Sequence, residues 1–230
     1  MNIIIFGPPG AGKGTQSKFI AKKFNLFQLS TGEFLRKEIK NKTELGLKIS
    51  SVVNTGSLVS DDIVSKLIEN FISKKEFKNR VIFDGYPRNL SQAKNLSSLL
   101  AKYNQKINVV LSLSVPLETI KKRISGRSFC SACGKIYNEY FNPPPKNSNC
   151  CSDKFLQKRA DDTPEVATKR FKTYEETTKP LLDFYKKLDL LKVVNGESSL
   201  EQIYKEISEI MSVIEGWLYI ITPYKYVFKH

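Results

Sequence analysis

The chain has 230 residues, 40% of them hydrophobic, which suits one principal core with small lobes attached. It begins MNIIIFGPPG, with no basic leader or long apolar stretch, and no apolar run reaches the roughly 18 residues a membrane helix needs, so a cytoplasmic protein off the membrane is expected. The formal net charge of +14 invites a nucleic-acid partner, but the lysines fall in pairs along helical patterns (Lys22 and Lys23, Lys74 and Lys75, Lys121 and Lys122, Lys186 and Lys187), as on solvated helix faces. Arginine, the residue suited to bidentate phosphate recognition, is confined to positions 36, 80, 88, 123, 127, 159 and 170.

NIIIF at 2–6 is a continuous apolar run rich in β-branched residues, the pattern of a buried parallel strand. It runs into GPPGAGKGT at 7–15, and the following QSKFIAKKF places Phe19, Ile20 and Phe24 at helical spacing. Strand, glycine-rich loop and helix form an anion cradle: the glycines let backbone N–H groups turn inward, the helix start adds its positive end, and Lys13 supplies a mobile cation. In STGEFLR (30–36), Ser30 or Thr31 followed by Glu33 is a helix cap with a first-turn acid.

In RVIFDGYPR (80–88), Val81 to Phe83 predict a second buried strand ending on Asp84, at the sheet edge where open α/β folds bind ligands. A lone carboxylate there suits Mg²⁺, which keeps several waters. INVVLSLSV (107–115) predicts a third strand, and the helix after Pro116 carries Arg123 and Arg127 on one face. Cys130 and Cys133 form a C-x2-C knuckle, followed after sixteen residues by Cys150, with Asp153 three positions beyond it. Two knuckles at this spacing indicate a tetrahedral zinc site. Asp153 is the expected fourth ligand and Cys151 its rival, since adjacent residues rarely direct both side chains at one ion. Asp161 and Asp162 suit a hinge and, with Thr163, the start of a helix. LLKVVNG (190–196) predicts a fourth strand, and Ser199 with Gln202 fits a capping box for the amphipathic helix after it. Residues 215–230, with Trp217, are aromatic and β-prone and have no assigned role.

The form GPPGAGKGT, in which Gly14 stands between Lys13 and Thr15, together with DGYPR at 84–88 and arginines at matching intervals up to about Ile214, resembles the nucleoside monophosphate kinases, the adenylate kinase family above all. That resemblance implies an α/β P-loop NTPase three-layer fold with a central parallel sheet. Residues 1–29, 60–125 and 163–214 would form the core, 30–59 a helical monophosphate-binding lobe and 126–162 a small zinc-stapled lid. It implies Mg²⁺-dependent transfer of a phosphoryl group from ATP to AMP giving two ADP, by a monomer without nucleic-acid partners. ATP would lie on Gly10, Ala11, Gly12, Lys13, Gly14, Thr15, Arg123, Arg127, Ile136, Tyr137 and Ser198. AMP would meet Thr31, Arg36, Ser57, Leu58, Val59, Gly85, Tyr86, Pro87, Arg88, Gln92, Arg159 and Arg170. Catalysis would rest on Lys13, Asp84, Arg88, Arg127, Arg159 and Arg170, and zinc on Cys130, Cys133, Cys150 and Asp153, as a structural staple. Arg80 is left as a surface residue. The alternatives are a kinase acting on UMP, CMP or GMP with the same fold, or a zinc-stabilised nucleic-acid-binding protein.

Overall fold

Side chains along a strand alternate between faces, so a strand buried on both needs cover on both. β1 (Asn2–Phe6) is buried along its whole length. Ile3 and Ile5 enter one apolar cluster, while Ile4 and Phe6 enter another. Helices complete both clusters, one on each face of the sheet.

The computed structural model describes residues 1–145, 150–159 and 162–221, with side chains described to Gly216 in the final helix. Asp161, read as part of a hinge, lies outside the described residues, as does 222–230 of the C-terminal segment. After β1 come α1 (Lys13–Lys23), β2 (Phe27–Ser30), α2 (Thr31–Lys40), α3 (Glu44–Asn54), α4 (Asp61–Ile72), β3 (Val81–Asp84), α5 (Leu90–Lys102) and β4 (Ile107–Ser114). The chain continues through α6 (Leu117–Ser125), β5 (Arg127–Cys130), β6 (Ile136–Asn138), β7 (Leu156–Gln157), α7 (Pro164–Thr173), α8 (Pro180–Lys187), β8 (Leu191–Asn195) and α9 (Leu200–Ile221).

Five strands form one parallel sheet in the order β2-β3-β1-β4-β8. The chain therefore leaves β1 toward β3 and β2 on one side and returns to β4 and β8 on the other. The glycine-rich loop opens at that switch point, where the crevice of a doubly wound sheet lies. Four of these strands are legible in the sequence. The addition is β2, a four-residue edge strand with only Leu29 buried, too short to show alternation.

Apolar residues of the 30–59 segment, Leu35, Ile49 and Val59, join the same cluster as Ile4, Phe6 and Phe83. α2 and α3 meet closely at Gly46, where a Cβ would stand 2.1 Å from the Glu38 carbonyl oxygen. The predicted caps form: Ser30 Oγ accepts from Glu33 N (3.4 Å), Thr163 Oγ1 from Val166 N (3.3 Å), and Ser199 and Gln202 exchange two bonds (3.1 and 3.3 Å). Strands β6-β5-β7 make a second, antiparallel sheet over residues 127–157. Its small apolar centre is Cys130, Tyr137 and Cys151. The paired lysines are exposed at all four places. Among the described residues no helix is long and apolar enough to cross a membrane.

Candidate active site

The loop between β1 and α1 owes its shape to glycine. Gly12 caps α1 in the left-handed region (φ 94°), and a Cβ on Gly10 would meet Ile124 Cγ1 at 2.9 Å. The α1 cap has no side-chain acceptor and the first turn has no acid. The first amides of the helix and the positive end of its dipole are thus left for an anion in the cleft. Lys13 lies folded over this loop, donating through Nζ to the carbonyls of Gly7 (2.6 Å) and Pro8 (2.9 Å). Loss of solvent lowers its pKa to about 8, and the nearby arginines 88, 170 and 127 push the same way against the opposing pull of Asp84.

β3 delivers Asp84 beside the loop, buried, with Oδ2 accepting from Gln28 Nε2 at 2.9 Å. Burial raises its pKa and the Lys13 cation opposes that shift. Gly10, Ala11, Gly12, Lys13, Gly14, Thr15 and Asp84 line one cleft of about 410 Å³, together with Arg36, Arg88, Arg123, Arg127, Arg159 and Arg170. Ile136, Tyr137 and Ser198 line it too. Six arginines widely separated in the sequence therefore face one space.

Two of these arginines are held by backbone carbonyls and a third by a carboxylate. Arg88 donates from Nε to the Gly85 carbonyl at 2.8 Å. Arg123 donates to the carbonyls of Ala11 (3.3 Å) and Gly196 (2.8 Å) and stacks over Phe141, 5.3 Å from the ring centroid. Arg127 grips Asp162 with both Nε and Nη2, and the Asp162 side chain is wholly buried. The carboxylate fixes the guanidinium plane and leaves Nη1 uncommitted by this pair. Glycines make room for three of the others: a Cβ would stand 3.3 Å from Arg36 Nη2 at Gly32, 2.8 Å from Arg170 Cγ at Gly56 and 3.3 Å from Arg88 Nη2 at Gly85.

A second, narrower slot adjoins the cleft and is lined by Thr31, Ser57, Leu58, Val59, Gly85 and Gln92. It shares Arg36, Arg88 and Arg170 with the cleft. Thr31 Oγ1 donates to the Gly85 carbonyl (3.0 Å) and Gln92 Oε1 accepts from Arg88 N (2.7 Å). Tyr86 departs from the expectation. It is 1% exposed, its hydroxyl donates to the Gln92 carbonyl (3.3 Å), and its ring belongs to the core, so it supports the slot from behind and does not line it. Pro87 is likewise buried and lines a small neighbouring cavity with Leu58, Arg88 and Arg170.

The cysteines require a correction. The Sγ atoms of Cys130, Cys133, Cys150 and Cys151 all lie within 4.8 Å of one another. Asp153 is exposed at the start of a 3₁₀ turn and is not part of that group. The rule that neighbours diverge holds for strands and helices. Cys150 and Cys151 sit in a bend outside any helix or strand, where neighbouring side chains need not diverge. Tyr137 belongs to this arrangement as well as to the cleft wall: its hydroxyl donates to Cys151 Sγ at 3.1 Å and pulls that thiol's pKa down.

Several contributors carry no sequence signal. Phe141 is an exposed aromatic in a loop, Gln28 lies on the strand not foreseen, and Asp162 reads as a cap residue until Arg127 is seen on it. Arg80 is set apart as expected, donating twice to the Asn25 carbonyl (3.0 and 2.7 Å) over the Phe27 ring.

Together the fold and the cleft define a class, a P-loop α/β protein whose lysine and arginines face one cleft suited to anionic ligands. The family model described as Adenylate kinase matches residues 5–190. An adenylate kinase of Pelagibacter ubique is 46% identical over 213 residues, covering 93% of this chain and all of the relative. One of Methanothrix thermoacetophila is 42% identical over 92% of this chain and 99% of its own length, and one of Archaeoglobus fulgidus 38% identical over 94% of this chain and all of its own length. The chain belongs to the adenylate kinase family and is thereby a nucleoside monophosphate kinase.

Proposed function

We propose that the protein transfers the γ-phosphoryl group of MgATP to AMP, reversibly, giving two ADP. The observation that carries this reading is the sharing of Arg36, Arg88 and Arg170 between the cleft and the slot. Two nucleotides placed one in each would bring their phosphates together among these cations. ATP would lie with its phosphates on the α1 amides and Lys13 and its base toward Arg123, Phe141 and Ser198. AMP would enter the slot between Thr31, Leu58, Val59 and Gln92. Phosphoryl transfer passes through a loose transition state whose difficulty is concentrated charge. The chain's contribution is therefore alignment and preorganised donors, with water kept out by closure over the cleft.

Mg²⁺ is the family's companion to ATP. The donor set fits it: a single buried carboxylate, Asp84, beside the phosphate cradle suits an ion that retains most of its waters. When bound there, the ion would supply positive charge to offset that of the phosphates, with Asp84 holding it through its waters. The four thiols fit zinc, because tetrahedral coordination at Zn–S of about 2.3 Å puts sulfurs about 3.8 Å apart, and Cys133 and Cys151 are separated by 3.6 Å. Zinc held by Cys130, Cys133, Cys150 and Cys151 would hold together a sheet whose apolar centre is only a few residues. The reading takes the enzyme to act as a monomer in the cytoplasm.

A coupled assay of ATP consumption with AMP, UMP, CMP and GMP tests the reading, with AMP turned over far faster than the rest. Equal use of UMP or CMP would shift the assignment within the class. Steep salt-dependent RNA binding without phosphotransfer would overturn it.

The pKa of Lys13 makes a further outcome measurable. With a free-state value of about 8, the amine is largely neutral at pH 8.5, where ATP is fully ionised. Polyphosphate placed on it favours the ammonium form, so binding of Mg-free ATP at pH 8.5 takes up most of a proton. The uptake fades below pH 7, where Lys13 is already charged. Titration calorimetry in buffers of different ionisation enthalpy reads this directly, and Lys13→Met abolishes the buffer dependence. In the same sense the unfolded chain binds the extra proton between pH 8 and 10.5, so this group makes stability rise with pH across that window.

A further inference from the structure

The side-chain amide of Gln92 has a donor end and an acceptor end, and which end faces which way decides what base it can read. Its Oε1 accepts from the backbone N–H of Arg88 at 2.7 Å, and its Nε2 donates to Asp61 Oδ1 at 2.6 Å. Asp61 is in turn held by Asn89, whose Nδ2 lies 3.2 Å from both carboxylate oxygens, and Asn89 also caps α5 by accepting from Gln92 N at 2.8 Å. An amide N–H cannot accept and a carboxylate cannot donate, so only one orientation of the Gln92 amide satisfies both neighbours. The flipped orientation would set Nε2 against the Arg88 N–H and Oε1 against the Asp61 carboxylate. Gln92 is only 3% exposed, and this buried position makes such a mismatch costly.

We propose that Asp61 is a specificity-determining positioning residue, which locks the Gln92 amide in the orientation that reads adenine and rejects 6-oxopurines. The two bonds leave Gln92 one hydrogen on Nε2 and one lone pair on Oε1 for a ligand in the slot that it lines. Adenine offers the complement, an acceptor at N1 and a donor at its 6-amino group. Hypoxanthine and guanine offer the reverse, a donor at N1–H and an acceptor at O6, and pair well only with the flipped amide. Discrimination thus comes from the partners behind Gln92 that forbid the flip. The inference rests on the proposed placement of AMP in this slot.

The test compares kcat/KM for AMP and IMP, nucleotides that differ only on the edge in question. Asp61→Asn removes one of the two constraints, because a carboxamide can turn its amino group toward a flipped Gln92 while the Arg88 N–H still opposes the flip, and the AMP-to-IMP ratio falls about tenfold, the scale of one hydrogen bond. Asp62→Asn removes the same charge from the same first turn of α4, at an exposed position, and leaves the ratio unchanged. Asp61→Ser serves the same comparison should the Asn variant fold poorly. An unaltered ratio in a folded Asp61 variant overturns the proposal. Gln92→Ala separates the two levels: if it too leaves the ratio intact, the placement of AMP fails, whereas if it alone collapses the ratio, only the role of Asp61 fails.

Discussion

Replacing Arg88 by Lys lowers turnover by about two to three orders of magnitude while the fold survives, the cost typical of losing one preorganised donor aimed at developing charge. The guanidinium is fixed by its Nε bond to the Gly85 carbonyl, seated where Gly85 leaves room, and common to the cleft and the slot. Its remaining N–H groups form a planar fork that can hold two oxygens of a transferring phosphoryl group at once. A lysine offers one compact charge, with no atom to satisfy the Gly85 carbonyl and phosphate together. Burial and the neighbouring Arg170 already push the Arg88 pKa down. A lysine in that setting, like Lys13 nearby, would lose part of its charge near neutral pH, whereas arginine stays charged. Steady-state kinetics with AMP varied, alongside thermal unfolding to show the fold intact, gives the answer. Near-normal kcat in the Lys variant would remove Arg88 from the transfer step.

Cys151→Ser abolishes stoichiometric zinc and lowers the unfolding midpoint by on the order of 10 °C, whereas Asp153→Asn changes neither. The size comes from the coupling of structural zinc to folding and from the roughly 2–4 °C that each kcal/mol shifts a domain of this size. The direction comes from position: Cys151 Sγ lies among the other three thiols and receives the Tyr137 hydroxyl, while the Asp153 carboxylate is exposed outside the group. Metal analysis after dialysis, together with calorimetric unfolding with and without chelator, distinguishes the pair. Zinc kept by Cys151→Ser and lost by Asp153→Asn would restore the oxygen ligand.

Much of the site is legible because its chemistry is local. The phosphate cradle needs a strand, closely spaced glycines, a lysine and a helix start within a dozen residues, and GPPGAGKGT between NIIIF and QSKFIAKKF holds all of them. Asp84 is legible for a similar reason, since a buried strand ending in a carboxylate puts that group at the sheet's binding edge. The arginines are legible only through resemblance. Nothing in the spacing of Arg36, Arg88 and Arg170 shows that they meet, for the topology that gathers them connects segments more than fifty residues apart. Tyr86 illustrates the opposite failure, a motif residue whose neighbours Gly85 and Arg88 line the slot while its own ring belongs to the core.

The amino-acid sequence alone determined the phosphate-binding loop with its lysine, the strand that ends on Asp84 and the C-x2-C knuckle of Cys130 and Cys133, because each depends on residue types at short separations along one chain. Tertiary structure decided whether Cys151 or Asp153 joins the thiol group, which carboxylate holds Arg127 and which one orients Gln92. Those outcomes depend on where a bend in the backbone points a side chain, and on which buried donor finds which acceptor across the sheet. Asp61 and Gln92, thirty-one residues apart, stand 2.6 Å from each other only once α4 and α5 are packed side by side.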